Sequence, residues 1–414
     1  MSTENKRFEV AIVGGGIAGL VLAIALIKRN VPCVVYEQAH AFTEQSVGLG
    51  MTPNSVRAMQ ICDASVREAF DKVTGPLFQW TFLDGTGEAD DSVIRFSIGD
   101  ADRGLMGCHR GEFLKALLGL VPESVVRFGK QLDRVEEPHG ARGKLVMVFG
   151  DGTTAEADAV IGCDGVKSHT RGIVVGHDHP SVRCTYSHKY AYRGLIPMPR
   201  AVEILGAERA STFGLWVSHD VHFVSYPVSR GTMLNIVIHR ADPTDWPSDT
   251  QLTLPADLQS CLEDVKRLGP RLQKTVRYLK GLDRWGQFDL GECPPPTYAR
   301  GLICLIGDAA HASTPHLGAA VMASLLAADG VRGGPDIEAV FATFDAHRRG
   351  RGEWLVRNSR RAGRLNQLQS EHKKDFQKLA SVLRWMAAKV WEFDVETNVR
   401  EAVGDLNKRL GLET

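Results

Sequence analysis

The chain has 414 residues, too many for one simple core, so two lobes are expected. Lysine plus arginine and aspartate plus glutamate both number 49, a balance that argues against an obligate nucleic-acid binder. No run reaches the ~18 apolar residues of a membrane span, the polar start MSTENKRFEV leaves no room for a signal peptide, and the eight cysteines form no C-x-x-C pair. A cytoplasmic protein with reduced thiols and no metal centre is expected.

In chain order, Phe8 to Val13 comes first, short, apolar and β-branched, as a strand buried in a parallel sheet should be. Gly14, Gly16 and Gly19 follow as G-x-G-x-x-G, and Ile17 to Lys28 is a buried helix of Ala, Leu, Ile and Val. Cys33 to Tyr36 reads as the next strand and ends on Glu37, close to the ~20-residue offset of the acid in dinucleotide fingerprints. Each part has a physical reason. Gly14 allows the tight turn, Gly16 lets the backbone approach a pyrophosphate, and Gly19 lets the helix pack closely on the strand. The helix N-terminus offers unpaired N–H groups to the phosphates, and Glu37 can accept both hydroxyls of an adenosine ribose.

Gly48 and Gly50, in the loop before a helix from Ser55 to Ile61, suggest close approach of backbone to a flat ligand. Leu77 to Ile98 alternates apolar and polar residues around a hairpin-like Asp84-Gly85. His109 to Leu118 reads as a helix with Arg110 in its first turn, placed to pair a phosphate. Val125 to Asp158 reads as a strand meander. Ala159 to Gly162 is an apolar strand that leads into Asp164-Gly165, and Ser168-His169-Thr170-Arg171 starts a helix. Strand-like segments from Tyr186 to His239 mark a second, mainly antiparallel lobe. Leu258 to Leu268 is helical by period. Leu302 to His311 is a buried strand running into a helix, with Asp308 at the junction, where parallel sheets bind ligands. From Ile337 the pattern is helical to the end. The arginine-rich stretch from His347 to Arg364 is expected to be a solvated helix face.

Four motifs stand in one order: GGGIAG with Glu37, HRGEF at 109–113, GCDGVKSHTR at 162–171 and LIGDAAHASTPH at 305–316. This set resembles the single-component, FAD-dependent aromatic monooxygenases of the para-hydroxybenzoate hydroxylase fold. In particular it is similar to salicylate-hydroxylase-like fungal enzymes that hydroxylate polyketide phenols on the way to tropolones and azaphilones. The resemblance spans roughly residues 7 to 365. It implies an α/β fold: a Rossmann-like FAD-binding domain, a mainly antiparallel β substrate lobe and a C-terminal helical segment. The expected boundaries are 1–75, 100–175 and 290–335 for the FAD-binding domain, 76–99 and 176–289 for the substrate lobe, and 336–414 for the helices.

The resemblance also implies roles. Glu37 and Arg110 hold the adenosine ribose and the neighbouring part of FAD, and Asp308 contacts the ribityl and pyrophosphate region. Asp164-Gly165 serves FAD and the nicotinamide donor. NAD(P)H is then a transient reductant, in keeping with the lack of a second Rossmann fingerprint, and O2 is co-substrate. Tyr190 to Gly194 and Val224 to Val228 match the segments that supply an arginine and a tyrosine to the substrate. Arg193 would hold an aromatic substrate as phenolate and Tyr226 would hydrogen-bond the same oxygen, so that a flavin C4a-hydroperoxide meets an electron-rich ring. An epoxidase or oxidative cyclase on a non-phenolic substrate is the alternative within the class.

One stretch departs from the pattern. After Pro315-His316 the family continues with a Gly-Ala-Gly run and a helix bearing Glu-Asp, whereas this chain reads Leu317 to Ala327 with Gly318 the one loop glycine left. Gly318 and Val321 are expected beside the cofactor, and the Cβ atoms of Ala320 and Val321 would crowd it. Weak FAD retention, an uncoupled flavin or a flavoprotein-like pseudoenzyme are the corresponding expectations.

Overall fold

The structure is a computed structural model and describes residues 8–41, 48–86, 94–99, 104–137, 143–314, 323–328 and 330–412. At its centre is a six-stranded sheet in the order Ala299–Arg300, Ile303–Leu305, Ala159–Gly162, Val10–Val13, Cys33–Glu37, Val126–Phe128. All neighbours are parallel except the first pair. Val10, Ala11, Ile12 and Val13 are all buried, as are Ala159 to Gly162, because layers cover both faces of this sheet. The helix Ile17–Ile27 covers one face through Leu20, Ala23 and Ile24. A separate three-stranded meander, Leu132–Glu136, Leu145–Phe149 and Thr154–Ala157, makes the connection from the edge strand Val126–Phe128 to Ala159–Gly162.

An eight-stranded sheet forms the second layer system. Its order is Thr253–Pro255, Asp283–Asp289, Thr185–Pro197, Met233–Ala241, Val221–Val228, Phe213–Val217, Trp80–Asp84, Ile94–Ile98. Pairing is antiparallel throughout except between Phe213–Val217 and Trp80–Asp84. Alternation along the strands divides its two faces. Tyr190, Tyr192, Phe223, Ile236 and Ile238 bury themselves under the helices Met198–Leu205, Leu258–Asp264 and Pro270–Val276. Phe213, Leu215, Leu195, Tyr226 and Val228 pack in a different core, with the helix Phe376–Trp391. On this second face the register aligns Arg193 with Val237 and Val224, and Leu195 with Asn235 and Tyr226.

A small sheet, Gly48–Met51, Leu105–His109 and Thr74–Phe78, lies against that second face. Its contact is made through glycines. A Cβ on Gly48 would lie 2.6 Å from Asn235 Cγ, one on Gly50 3.1 Å from the Phe213 ring, and one on Gly107 2.7 Å from the Pro227 carbonyl oxygen and 3.0 Å from the Tyr226 ring. Gly48 is thus buried tightly against Asn235, whereas Gly50 is exposed and only touches the edge of the Phe213 ring.

The sequence reading differs from the structure at two places. Asp84-Gly85 is not a two-residue hairpin turn: Trp80–Asp84 and Ile94–Ile98 pair across a longer connection. Asp84 instead anchors the start of that connection, accepting Thr86 N–H at 2.9 Å and Arg95 at 2.6 Å. The arginine-rich stretch lies in the helix Gly334–Asn366 and is not a uniformly solvated face. Arg348 is buried, Arg351 stacks 3.6 Å from the Phe393 ring centroid, and Arg360 grips the fully buried Asp289 through both carboxylate oxygens at 2.8 and 2.7 Å. Arg357, Arg361 and Arg364 do face solvent. None of the eight cysteines is in a disulfide, and among the described residues no helix is long and apolar enough to cross a membrane.

Candidate active site

At the carboxyl end of Val10–Val13 the chain turns at Gly14, with φ +105°, and its α-hydrogen faces the Cys163 carbonyl of the next strand, where a Cβ would come within 2.4 Å. Gly19 permits the helix to sit on this turn, because a Cβ there would lie 2.0 Å from the Gly14 oxygen. Nothing lies within 4 Å of the position a Cβ would take on Gly16, and no side chain caps the helix it begins. An uncapped helix start with open space before it is what a pyrophosphate needs.

Glu37 closes the next strand. One carboxylate oxygen accepts Gly15 N–H at 2.7 Å and the other Ala39 N–H at 2.8 Å. The acid is thus held against the glycine turn by the protein itself, and a carboxylate oxygen has lone pairs left for a ribose hydroxyl. Asp164 is committed more deeply: it accepts Ser168 Oγ at 2.5 Å and the Thr170 N–H and hydroxyl at 2.9 Å. Its carboxylate shapes the loop around Gly165 and fixes the start of the helix His169–Val175.

Arg171 is a site residue that the sequence reading passed over as part of a helix start. It is fully buried, and carbonyl oxygens surround its guanidinium: Ser181 at 2.8 Å, Val182 at 2.9 Å, Val166 at 2.8 Å and Ala309 at 3.0 Å. It ties the Asp164 loop to the helix Asp308–His311. The signal was an arginine followed by Gly-Ile-Val-Val, too apolar a setting for a solvated cation. Asp308 keeps an exposed side chain, yet the protein atoms around it push its carboxyl above the usual range, with Arg171 and Arg110 opposing. Arg110 opens the helix Arg110–Leu118, whose N-terminus His109 caps by accepting Glu112 N–H at 3.3 Å. Arg110 is close enough to act electrostatically on Asp308 on one side and on Arg193 on the other.

Arg193 and Tyr226 come together on the inner face of the large sheet, on strands separated by Met233–Ala241. The Arg193 guanidinium sits over the Trp285 ring at 4.9 Å from its centroid. Its Nε is wholly covered and donates to nothing among the described residues, and no carboxylate among them pairs with it. Burial pulls its pKa down, nearby Arg110 adds to this, and Tyr226 opposes it. The Tyr226 ring stacks on Phe213, 4.4 Å between centroids and 1° between planes. Burial pushes its phenol up; the Cys108 thiol adds to this and Arg193 counteracts it. Gly318 and Val321, with the rest of 315–322, lie outside the described residues. The helix after them is one turn, Ala323–Leu326, with Leu325 and Leu326 in the core.

The residues present fit FAD: an uncapped helix start at the glycine turn, an acid at the next strand end, and Arg110 and Asp308 further along the same edge. A family model described as an FAD binding domain matches residues 7–177. The FAD-dependent monooxygenase pigN of Monascus ruber is 39% identical over 99% of both chains. Salicylate hydroxylase asL1 of Sarocladium schorii is 35% identical, covering 97% of this chain and 91% of its own. Among solved structures, a salicylate hydroxylase substrate complex superposes with a TM-score of 0.82 at 27% identity, over 96% of this chain and 98% of that one. Likeness of this degree over nearly the whole length, on a site built to take the cofactor, places the chain in the family of FAD-dependent monooxygenases.

Proposed function

We propose that this monooxygenase hydroxylates a phenolic, polyketide-derived aromatic, taking electrons from NAD(P)H and oxygen from O2, with Arg193 holding the substrate as its phenolate. One observation carries the reading. Arg193 is a guanidinium with a covered Nε, an aromatic floor and no carboxylate partner among the described residues. A half-buried cation with a covered Nε and no carboxylate partner is costly to a fold, and a phenolate of the right reach removes that cost through a charge-assisted hydrogen bond. The names of relatives that act on a hydroxylated benzoate support the same substrate class.

The balance is simple: an aromatic C–H, O2 and NAD(P)H with a proton give the C–OH, water and NAD(P)+. Bound FAD supplies the redox and oxygen chemistry. The chain's own residues do the rest. Arg193 stabilises the ionised ring oxygen and so makes the ring electron-rich. Tyr226, buried and kept protonated, donates toward the same oxygen, and its stack on Phe213 fixes the direction of that donation. Arg110 stands between the cofactor side and the substrate side, and its charge favours anions on both.

Arg193→Lys tests this, since lysine keeps the charge but not the planar fork. Flavin content should stay while product falls at least tenfold and consumed NAD(P)H appears as hydrogen peroxide. Full product yield would remove Arg193 from the site, and activity surviving Arg193→Ala would favour a non-phenolic substrate.

A further inference from the structure

We propose that Asn235 is a specificity-determining residue that donates its side-chain amino group to the substrate oxyanion held by Arg193. This inference rests on the phenolate reading above.

Asn235 lies in the run Met233–Ala241, whose neighbours Leu234, Ile236 and Ile238 are fully buried in the opposite core. It is itself fully buried, where an apolar side chain would serve packing better. Its Oδ1 accepts Gly48 N–H at 2.9 Å. A backbone N–H can only donate, so the amide cannot be turned over: the oxygen must face Gly48 and the amino group must face away. That amino group carries two hydrogens and finds no acceptor among the described residues. A buried donor left without an acceptor is costly to the fold, a cost that an apolar residue here would avoid.

The register says what the amino group faces. Asn235 stands between Leu195 and Tyr226, and the adjacent row on the same face is Arg193, Val237 and Val224. Leucine and the valines offer no acceptor, and the backbone carbonyls of these strands are engaged in the ladders. Two neighbouring donors without protein partners, Arg193 Nε and Asn235 Nδ2, one of them charged, therefore share one sheet face with Tyr226. An oxyanion with several lone pairs satisfies such a set, and a neutral hydrocarbon does not.

Asn235→Asp is the sharpest variant, because it keeps an oxygen for Gly48 N–H and replaces the donor by an anion. The probe is 4-hydroxybenzaldehyde, whose phenol and phenolate absorb at different wavelengths, titrated into the FAD-loaded protein over a pH series. The parent should bind the phenolate with an apparent pKa below that of free probe. Asn235→Asp should weaken binding roughly 10- to 150-fold and raise that apparent pKa, with flavin occupancy unchanged. Asn235→Ala, which loses the donor without adding charge, should show the smaller part of the same change and carries the test if the aspartate variant does not accumulate. Affinity within twofold of the parent in both variants, with Arg193→Ala impaired, overturns the role of Asn235 alone. Loss of FAD from both variants also overturns it, since the side chain would then act through Gly48 on the cofactor. Failure of the parent to take up the phenolate, or unchanged affinity in Arg193→Ala as well, overturns the phenolate reading and this inference with it.

Discussion

Glu37 shows how one side chain serves the fold and the ligand at once. Its oxygens already hold Gly15 and Ala39, so Glu37→Ala removes a ribose acceptor and also loosens the turn that faces the pyrophosphate. The FAD dissociation constant should rise roughly 10- to 150-fold, the range for a lost charge-assisted hydrogen bond; flavin fluorescence titration measures it, and an unchanged constant would place the ribose elsewhere. Lys189 gives a different test at the same scale. It is buried beside Gln367 and donates to Gln369 Oε1 at 3.1 Å, with no carboxylate in contact among the described residues. Burial draws its pKa down from 10.5 to about 8, Arg364 adds repulsion, and Asp220 opposes them. Between those two values the unfolded chain holds more protons than the folded one, so this group makes stability rise with pH across that window. Below it, the folded state carries the whole cost of a buried ammonium, about 3 kcal/mol at most. Lys189→Met should flatten the rise, which urea midpoints at pH 8 and pH 10 in both proteins would reveal.

Among elements, the long helix Gly334–Asn366 is held by its buried apolar face and, at one point, by a clamp. Arg360 reaches Asp289 with Nε and also contacts Glu292 and Thr185, so it joins the helix to two strands of the large sheet. Removing one partner of a buried pair strands the other charge. Arg360→Ala should therefore cost roughly 3–5 kcal/mol, read as a lower denaturant midpoint. Replacing Arg360 and Asp289 together by apolar residues of similar volume should recover much of that. The exposed Arg357, which pairs with Glu353 at 3.3 Å on the solvent side, should be nearly silent when replaced.

Across the molecule, the small three-stranded sheet presses on the eight-stranded sheet through glycines, and that contact shows what could and could not be read from the sequence. Val10–Val13, the glycine turn and Glu37 were legible because each is a local pattern with one physical solution. The antiparallel character of the second lobe was legible from β-branched alternation. Long-range approach was not: nothing near Gly48 in the chain announces Asn235, whose side chain packs against it. Asn235 was missed for the same reason, since its partner lies 187 residues away in the chain, and so was the tie from Arg171 to Ala309, 138 residues away. The glycine contact also predicts a phenotype. Gly107→Ala forces a methyl against the Pro227 carbonyl and the Tyr226 ring, an overpacking worth about 1–3 kcal/mol. The melting temperature should fall, and phenol affinity should fall with it because Tyr226 is displaced; a stable variant with unaltered affinity would show that the two layers can yield.

The carbonyl cage around Arg171 has a bearing on synthesis. Its oxygens come from residues 166, 181, 182 and 309, and the strand Ile303–Leu305 that pairs with Ala159–Gly162 arrives equally late. While the ribosome is still making the middle of the chain, a guanidinium destined for complete burial lacks part of its cage, and an apolar strand stands at an open sheet edge. A gene cut after residue 290 should therefore yield aggregate in place of a smaller flavin-binding protein, even though it keeps the glycine turn, Glu37 and Arg110.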